Sequence, residues 1–361
     1  MKRKIKLFEP SIGKDEENAI NRVLKSKFWA SGAGIGNVRE FEKKFKKYVS
    51  SKNCVAVNSG TAALNLGLSI YNIKNKEVIL PSLTFVATAN AIIMNGGKPV
   101  FVDVDPDTLN MDVEKIENSI SEKTKIILPV HFGGLSCNLD KINSLSKKYN
   151  LKIIEDAAHA AGTYYKSKKI GSHGNALCFS FHPIKNLAMP TGGLISINDK
   201  NHKKIQDELC AKRWCGITNR KNTNYDIKQI GNNYYMNEFS ASIGLVQLKK
   251  LDKLNTIRRK IAKIYSQEIK LDSKMPFDKH CSYHLYWILV KNRKEFQKRM
   301  TEHGIETGTH YKPVHTFSLY KSKLKLKNTE NIGKRVVTIP CHSNLNEDEI
   351  GKIIRLTNKF S

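Results

Sequence analysis

Short apolar runs recur through the first half of the chain at spacings that leave room for a helix between most of them. They are Val55-Ala56-Val57, Val78-Ile79-Leu80, Val100-Phe101-Val102, Ile126-Ile127-Leu128, Ile153-Ile154, Cys178-Phe179-Ser180-Phe181 and Leu194-Ile195-Ser196-Ile197. Runs of this length bounded by Gly, Pro, Asp and Asn read as strands covered on both faces, and such strands are joined by crossover helices. The pattern predicts an α/β fold with a mostly parallel central sheet.

From Asn237 to about Lys270 the pattern changes. There is no Pro, no Gly after Gly244, and Ile243, Val246, Leu248, Leu251 and Leu254 recur at helical spacing, which predicts one long helix leaving the sheet. Beyond it, Tyr286-Trp287-Ile288-Leu289-Val290 and the stretch from Glu347 to Lys359 give mixed strand and helix signals. At 361 residues the chain exceeds the size at which a single core stops growing. We therefore expect a large α/β domain over residues 1–249, including the N-terminal segment, and a smaller C-terminal α+β domain over 250–361.

Composition narrows the function classes. Hydrophobic residues make up 40% of the chain and charged residues 26%, values of a folded globular protein. The 61 Lys and Arg against 33 Asp and Glu leave a net charge of +28, a field that attracts phosphorylated or otherwise anionic partners. The basic residues are spread along the whole chain with no nucleic-acid-binding pattern, so no nucleic-acid partner is expected. Seven cysteines without a CxxC pair read as free thiols, and no metal site is expected. The start Met1-Lys2-Arg3-Lys4-Ile5-Lys6 is basic like the head of a signal peptide, yet Glu9, Pro10 and Gly13 stand where its apolar stretch would begin, and no segment is long and apolar enough for a membrane span. The expected location is the cytoplasm.

In open α/β sheets, ligands bind at the carboxyl ends of the strands, so polar residues directly after the apolar runs are the ones to inspect. Asn58-Ser59-Gly60-Thr61-Ala62-Ala63 passes from strand to helix start, a geometry whose free N–H groups suit a phosphate, although Ser-Gly-Thr is also an ordinary helix cap. Glu155-Asp156-Ala157-Ala158-His159 places carboxylates at another strand end, where a plain N-cap would look the same. Ser180-Phe181-His182-Pro183-Ile184-Lys185 follows a third strand, and a lone lysine in a loop is usually just solvated. Taken together the three have one chemical explanation. Pyridoxal phosphate requires an anion seat, a carboxylate for its ring nitrogen and an amine for an imine, and each stands at a strand end.

The segments Asn58-Ser59-Gly60-Thr61-Ala62-Ala63-Leu64, Glu155-Asp156-Ala157-Ala158-His159, Phe179-Ser180-Phe181-His182-Pro183-Ile184-Lys185 and Gly231-Asn232-Asn233-Tyr234-Tyr235-Met236-Asn237-Glu238 resemble the nucleotide-sugar aminotransferase family of fold-type I pyridoxal-phosphate enzymes. Weaker matches at Pro81 to Thr88, Val102 to Asp105, Pro129 to Gly134 and His310 to His315 extend the resemblance from about Phe8 to the end. It implies that Lys185 holds the cofactor as a Schiff base and, once released, moves a proton as general acid and base. Asp156 would pair with the ring nitrogen, His159 would sit near the phenolic oxygen, and Phe85 would stack on the ring, although plain core packing would use the same aromatic face. Gly60, Thr61 and Ser180 would bind the phosphate, with Asn233 reaching it from the partner subunit of a homodimer. His310 and His315 would belong to a substrate-side loop.

What the resemblance implies is reversible amino transfer, with glutamate as expected donor, to a keto group of a nucleotide-linked deoxysugar. Two departures bear on this. Met189-Pro190-Thr191-Gly192-Gly193 stands where the family commonly has Thr-Gly-Glu-Gly-Gly, and Tyr235 stands where it often has Arg. A sugar dehydratase on the same scaffold is the near rival, but those relatives carry His at the cofactor lysine. A non-catalytic regulator using the basic surface is the distant one, and the complete set of cofactor residues argues against it.

Overall fold

The computed structural model describes residues 4–321 and 323–361, so the first three residues of the basic start lie outside the described residues. Each apolar run picked out above is a strand of a single sheet. In chain order the strands are β1 (Asn53–Val57), β2 (Glu77–Pro81), β3 (Lys98–Val102), β4 (Thr124–Ile127), β5 (Lys152–Asp156), a separate two-residue hairpin of β6 (Tyr164–Tyr165) and β7 (Lys168–Lys169), then β8 (Ala176–Ser180) and β9 (Gly193–Ile197). The sheet runs β1-β9-β8-β5-β4-β2-β3, with β9 antiparallel to both neighbours and every other pairing parallel.

Successive side chains of a strand point to opposite faces, so a run that is apolar throughout needs cover on both. Val55, Val78, Leu80, Ile126, Ile154, Cys178 and Ile195 pack on one side with the helices Gly60–Ser69 and Ala87–Met94. Ala56, Ile79, Ile127, Ile153, Leu177, Phe179 and Leu194 pack on the other with the helix Asn37–Val49. The resulting three layers bury the sheet and leave its strand ends for chemistry.

The long helix predicted from the absence of Pro and late Gly spans Glu238–Glu268. Asn237 caps it by accepting the amide of Ser240 at 2.8 Å, a device that contributes about 1 kcal/mol. Its first turns pack on the sheet through Ala241 and Leu251. Its last turns, through Ile261, Ala262 and Tyr265, join a second core built on the antiparallel pair Tyr286–Leu289 and Val336–Ile339. That second core also holds Ile5 from the N-terminal segment and Phe132 and Leu135 from beside the sheet. Positions 249 and 250, where the sequence suggests a division, lie inside the continuous helix. No helix among the described residues is long and apolar enough to cross a membrane.

Candidate active site

The carboxyl ends of β1, β5 and β8 open into a cavity of about 390 Å³, within the range of small-molecule sites. After β1, Ser59 caps the helix Gly60–Ser69 by accepting the amide of Ala62 at 3.1 Å. The amides of Gly60 and Thr61 head this helix, where N–H groups have no partner within the helix itself and attract an anion. The fit is close because two glycines permit it. A Cβ on Gly60 would stand 2.6 Å from the Cβ of Ser180, and one on Gly193 would stand 2.2 Å from the carbonyl oxygen of Ser59.

Lys185 sits on the loop between β8 and β9, which returns along the same end of the sheet instead of crossing by a helix. The loop is pinned by the amide of Phe181 donating to Gly192 and that of Met189 donating to Phe181. Met189, within the departure from the family pattern, is buried between Gly192 and Gly244, and the Thr191 hydroxyl donates to the carbonyl of Asn58. The side chain of Asn186 donates to the carbonyl of Ser282 at 2.8 Å. Lys185 thus stands on a tethered loop with its amine inside the cavity.

Asp156 ends β5 and faces the same cavity. One carboxylate oxygen accepts the amide of Ala158 at 3.0 Å, and the other accepts the hydroxyl of Thr88 at 2.8 Å. Thr84 and Thr88 share a further hydrogen bond at 2.9 Å. Burial pushes the Asp156 carboxyl above its usual range, against the pull of those two donors and of Lys185. Burial also lowers the Lys185 amine to about 8, with Asp156 opposing. Two oppositely charged groups are each held nearer neutrality than in water, a perturbation of the kind that gathers at functional sites.

His159 is buried at the cavity wall. The amide of Gly133 donates to its Nδ1 at 3.3 Å, so the ring proton sits on Nε2 and is donated to the hydroxyl of Tyr311 at 3.1 Å. Burial, reinforced by Lys185 and His310, keeps the ring neutral. Phe85 is 55% exposed and opens its face to the cavity, so it is not a core-packing residue. His310 lines the cavity and bonds Thr338 at 2.9 Å through Nδ1. His315 is not brought there. It is buried with both ring nitrogens in use, on Ser82 at 2.6 Å and Glu330 at 3.4 Å, where it ties its loop to the sheet. Asn233 also lies off its own chain's cavity, exposed, with its carbonyl accepting the side chain of Asn58 at 3.2 Å.

The residues fit pyridoxal phosphate. An amine, a carboxylate with lone pairs still free, an open aromatic face and a helix N-terminus all face one cavity. Two of them, Lys185 and Asp156, have their charges perturbed by burial.

The DegT/DnrJ/EryC1/StrS aminotransferase family matches residues 10–357. The chain belongs to this family. Among similar proteins, the spore coat polysaccharide biosynthesis protein SpsC of Bacillus subtilis is 36% identical over 96% of this chain and 94% of its own. The structure of Helicobacter pylori PseC, an aminotransferase involved in the biosynthesis of pseudoaminic acid, superposes with a TM-score of 0.93 at 30% identity, covering 99% of each chain. Spr1654 of Streptococcus pneumoniae, solved in PLP and PMP forms, gives a TM-score of 0.92 at 27% identity, covering 99% of this chain and 97–98% of those chains. The chain is thus a pyridoxal-phosphate-dependent sugar aminotransferase of fold type I. The family's strand-end signals lead directly to Gly60, Asp156, Ser180 and Lys185, all of which the fold brings together.

Other residues at the site carry no such signal. Tyr311 and Thr88 lie in segments quoted for the resemblance, but nothing in their spacing marks the hydrogen bonds they make. His284 lies 3.3 Å from the Lys185 amine and precedes a strand of the second core. Inspecting residues that follow strands passes over it.

Proposed function

We propose that Lys185 holds the cofactor and that this aminotransferase acts on a keto group of a nucleotide-linked deoxysugar, with glutamate as amino donor. The observation that carries the reading is the pairing, inside one cavity, of a half-buried lysine amine lowered to about 8 with a buried carboxylate. When bound, pyridoxal phosphate supplies the electron sink and the carrier for the amino group. Asp156 keeps the ring nitrogen protonated, His159 donates toward the ring's phenolic oxygen or the Tyr311 hydroxyl, and Phe85 offers its face to the ring. Lys185, once free, moves a proton between the substrate carbon and the cofactor. Gly60, Thr61 and Ser180 seat the phosphate, and His310 lies toward the substrate.

Among the described residues lining the cavity, Lys185 is the only Lys or Arg. Asn233, exposed and off its own chain's cavity, is read as the donor that a partner subunit brings to the phosphate, which makes the enzyme a homodimer. A net charge of +28 suits a diphosphate-linked substrate. All seven cysteines are free, as thiols remain in the cytoplasm where we place the enzyme.

The test is a panel of nucleotide-linked keto sugars incubated with glutamate and read by mass spectrometry. One sugar should gain an amine while 2-oxoglutarate appears. A sugar that instead loses a hydroxyl would establish the dehydratase, and exchange among amino acids with no sugar product would remove the sugar substrate.

A further inference from the structure

The one hydrogen-bonding partner that Lys185 Nζ has among the described residues is Nε2 of His284, at 3.3 Å. His284 is 2% exposed and is not among the residues lining the cavity. Its ring is clamped, with Phe8 stacked at 5.4 Å and 18° and His159 at 4.5 Å and 44°. Its Nδ1 has no hydrogen-bond partner among the described residues. The charged and titratable groups around it are Lys185, His159, Arg258 and His310, with no carboxylate among them. An imidazolium there would face only positive or neutral neighbours, so the ring is neutral, and burial enforces the same state.

A neutral imidazole can accept at Nε2 only if its proton is on Nδ1. With His284 as the acceptor, its Nδ1 proton has no partner among the described residues, an arrangement that costs free energy and that an apolar residue of similar shape would avoid. The compensation is the acceptor it leaves for the amine. We infer that His284 is the positioning residue that receives the Lys185 amine whenever that amine is not bonded to the cofactor. Whenever Lys185 is released from the cofactor, a side chain with four methylenes would otherwise sample many rotamers. His284 holds the amine at one wall of the cavity, ready to take up a proton and to return. This inference rests on the reading of Lys185 as the cofactor lysine.

Accepting from an ammonium favours the charged amine, so removing the acceptor lowers the Lys185 pKa further. The measurement uses cofactor-free dimer, a small amine-acylating reagent, and peptide mass spectrometry of Lys185 labelling rate against pH. In the wild type the midpoint should lie at about 8. His284→Phe should lower it by roughly one pH unit, the size of a charge-assisted hydrogen bond, while His284→Gln, whose amide oxygen can accept, should stay within a few tenths. A midpoint unchanged or raised in His284→Phe overturns the inference, even if thermal stability falls. Because that variant can fail to fold, selective ¹⁵N-histidine spectra of the wild type supply a second reading. The His284 proton must be on Nδ1, and a proton on Nε2 overturns the inference alone. Borohydride reduction of wild-type holoenzyme reports separately on the underlying reading, since cofactor mass fixed anywhere but Lys185 removes it.

Discussion

Gly193→Ala probes the contact that joins the reversed strand to the anion seat. The added Cβ would lie 2.2 Å from the Ser59 carbonyl oxygen and 2.8 Å from the Gly60 amide nitrogen, whereas ordinary contact begins at 3.4 Å. Both neighbours are backbone, so no side chain can turn aside. The start of the helix Gly60–Ser69 must move by about 1 Å relative to β9, or β9 must leave its ladder with β1 and β8. Overpacking of this kind costs roughly 1–3 kcal/mol, which a folded enzyme of this size tolerates. The catalytic cost is larger, because a displacement of about 1 Å in a positioned group can lower rate about 100-fold. The variant should fold, with a lowered melting temperature, and bind pyridoxal phosphate at least tenfold more weakly in a fluorescence titration. An alanine variant with wild-type cofactor affinity would show that the seat does not depend on this contact.

Asp156→Asn should fold and bind cofactor yet lose most of its transamination rate in single-turnover kinetics, since an amide cannot stabilise a protonated ring nitrogen; a drop in stability alone would leave Asp156 as a structural cap. Lys185→Ala and Asn233→Ala homodimers should each be impaired. A mixed dimer purified through two tags should recover toward half of normal activity, because one site is then wild type at both positions; recovery no better than the stronger parent would place Asn233 at its own subunit's site or at none. Lys185→Met should stabilise the cofactor-free protein. Burial lowers the native amine to about 8 from the 10.5 of a free lysine, so the folded state binds fewer protons than the unfolded state between those pH values. The penalty of about 3 kcal/mol is full below pH 8 and fades as pH rises toward 10.5, and urea titrations should find the gain at pH 7 largely gone above pH 10.

The sheet was legible because a strand covered on both faces cannot hide its composition. Val78-Ile79-Leu80 and Ile153-Ile154 are buried throughout, and no alternating surface strand produces such runs. The reversal of β9 was not legible, since Leu194-Ile195-Ser196-Ile197 would read the same in either direction. That Asp156 and Lys185 would reach one cavity was legible because polar residues at or soon after the end of an apolar run are a local signal. His315 carries the same residue type as His310 a few positions away, and only the fold distinguishes them: one ring meets the cavity while the other meets Ser82 and Glu330. His284 was invisible for the opposite reason. Its partner is 99 positions away, and no spacing rule spans a distance set by the packing of two cores.

The helix Glu238–Glu268 runs from one core into the other without a Pro, and its single Gly lies near its start. Sharp bends in helices need Pro, paired small residues or an inserted group, so it acts as a stiff strut between the two cores. At the far end, Arg258 donates to the carbonyl of Cys341 at 2.6 Å and Tyr265 to that of Pro340 at 2.8 Å, anchoring the strut beside the second core. Melting either core would strip half of one continuous helix of its packing. Heating should therefore give one cooperative transition. A fragment ending at residue 249 would expose the apolar stripe of the cut helix, so severing the strut should produce a chain that aggregates.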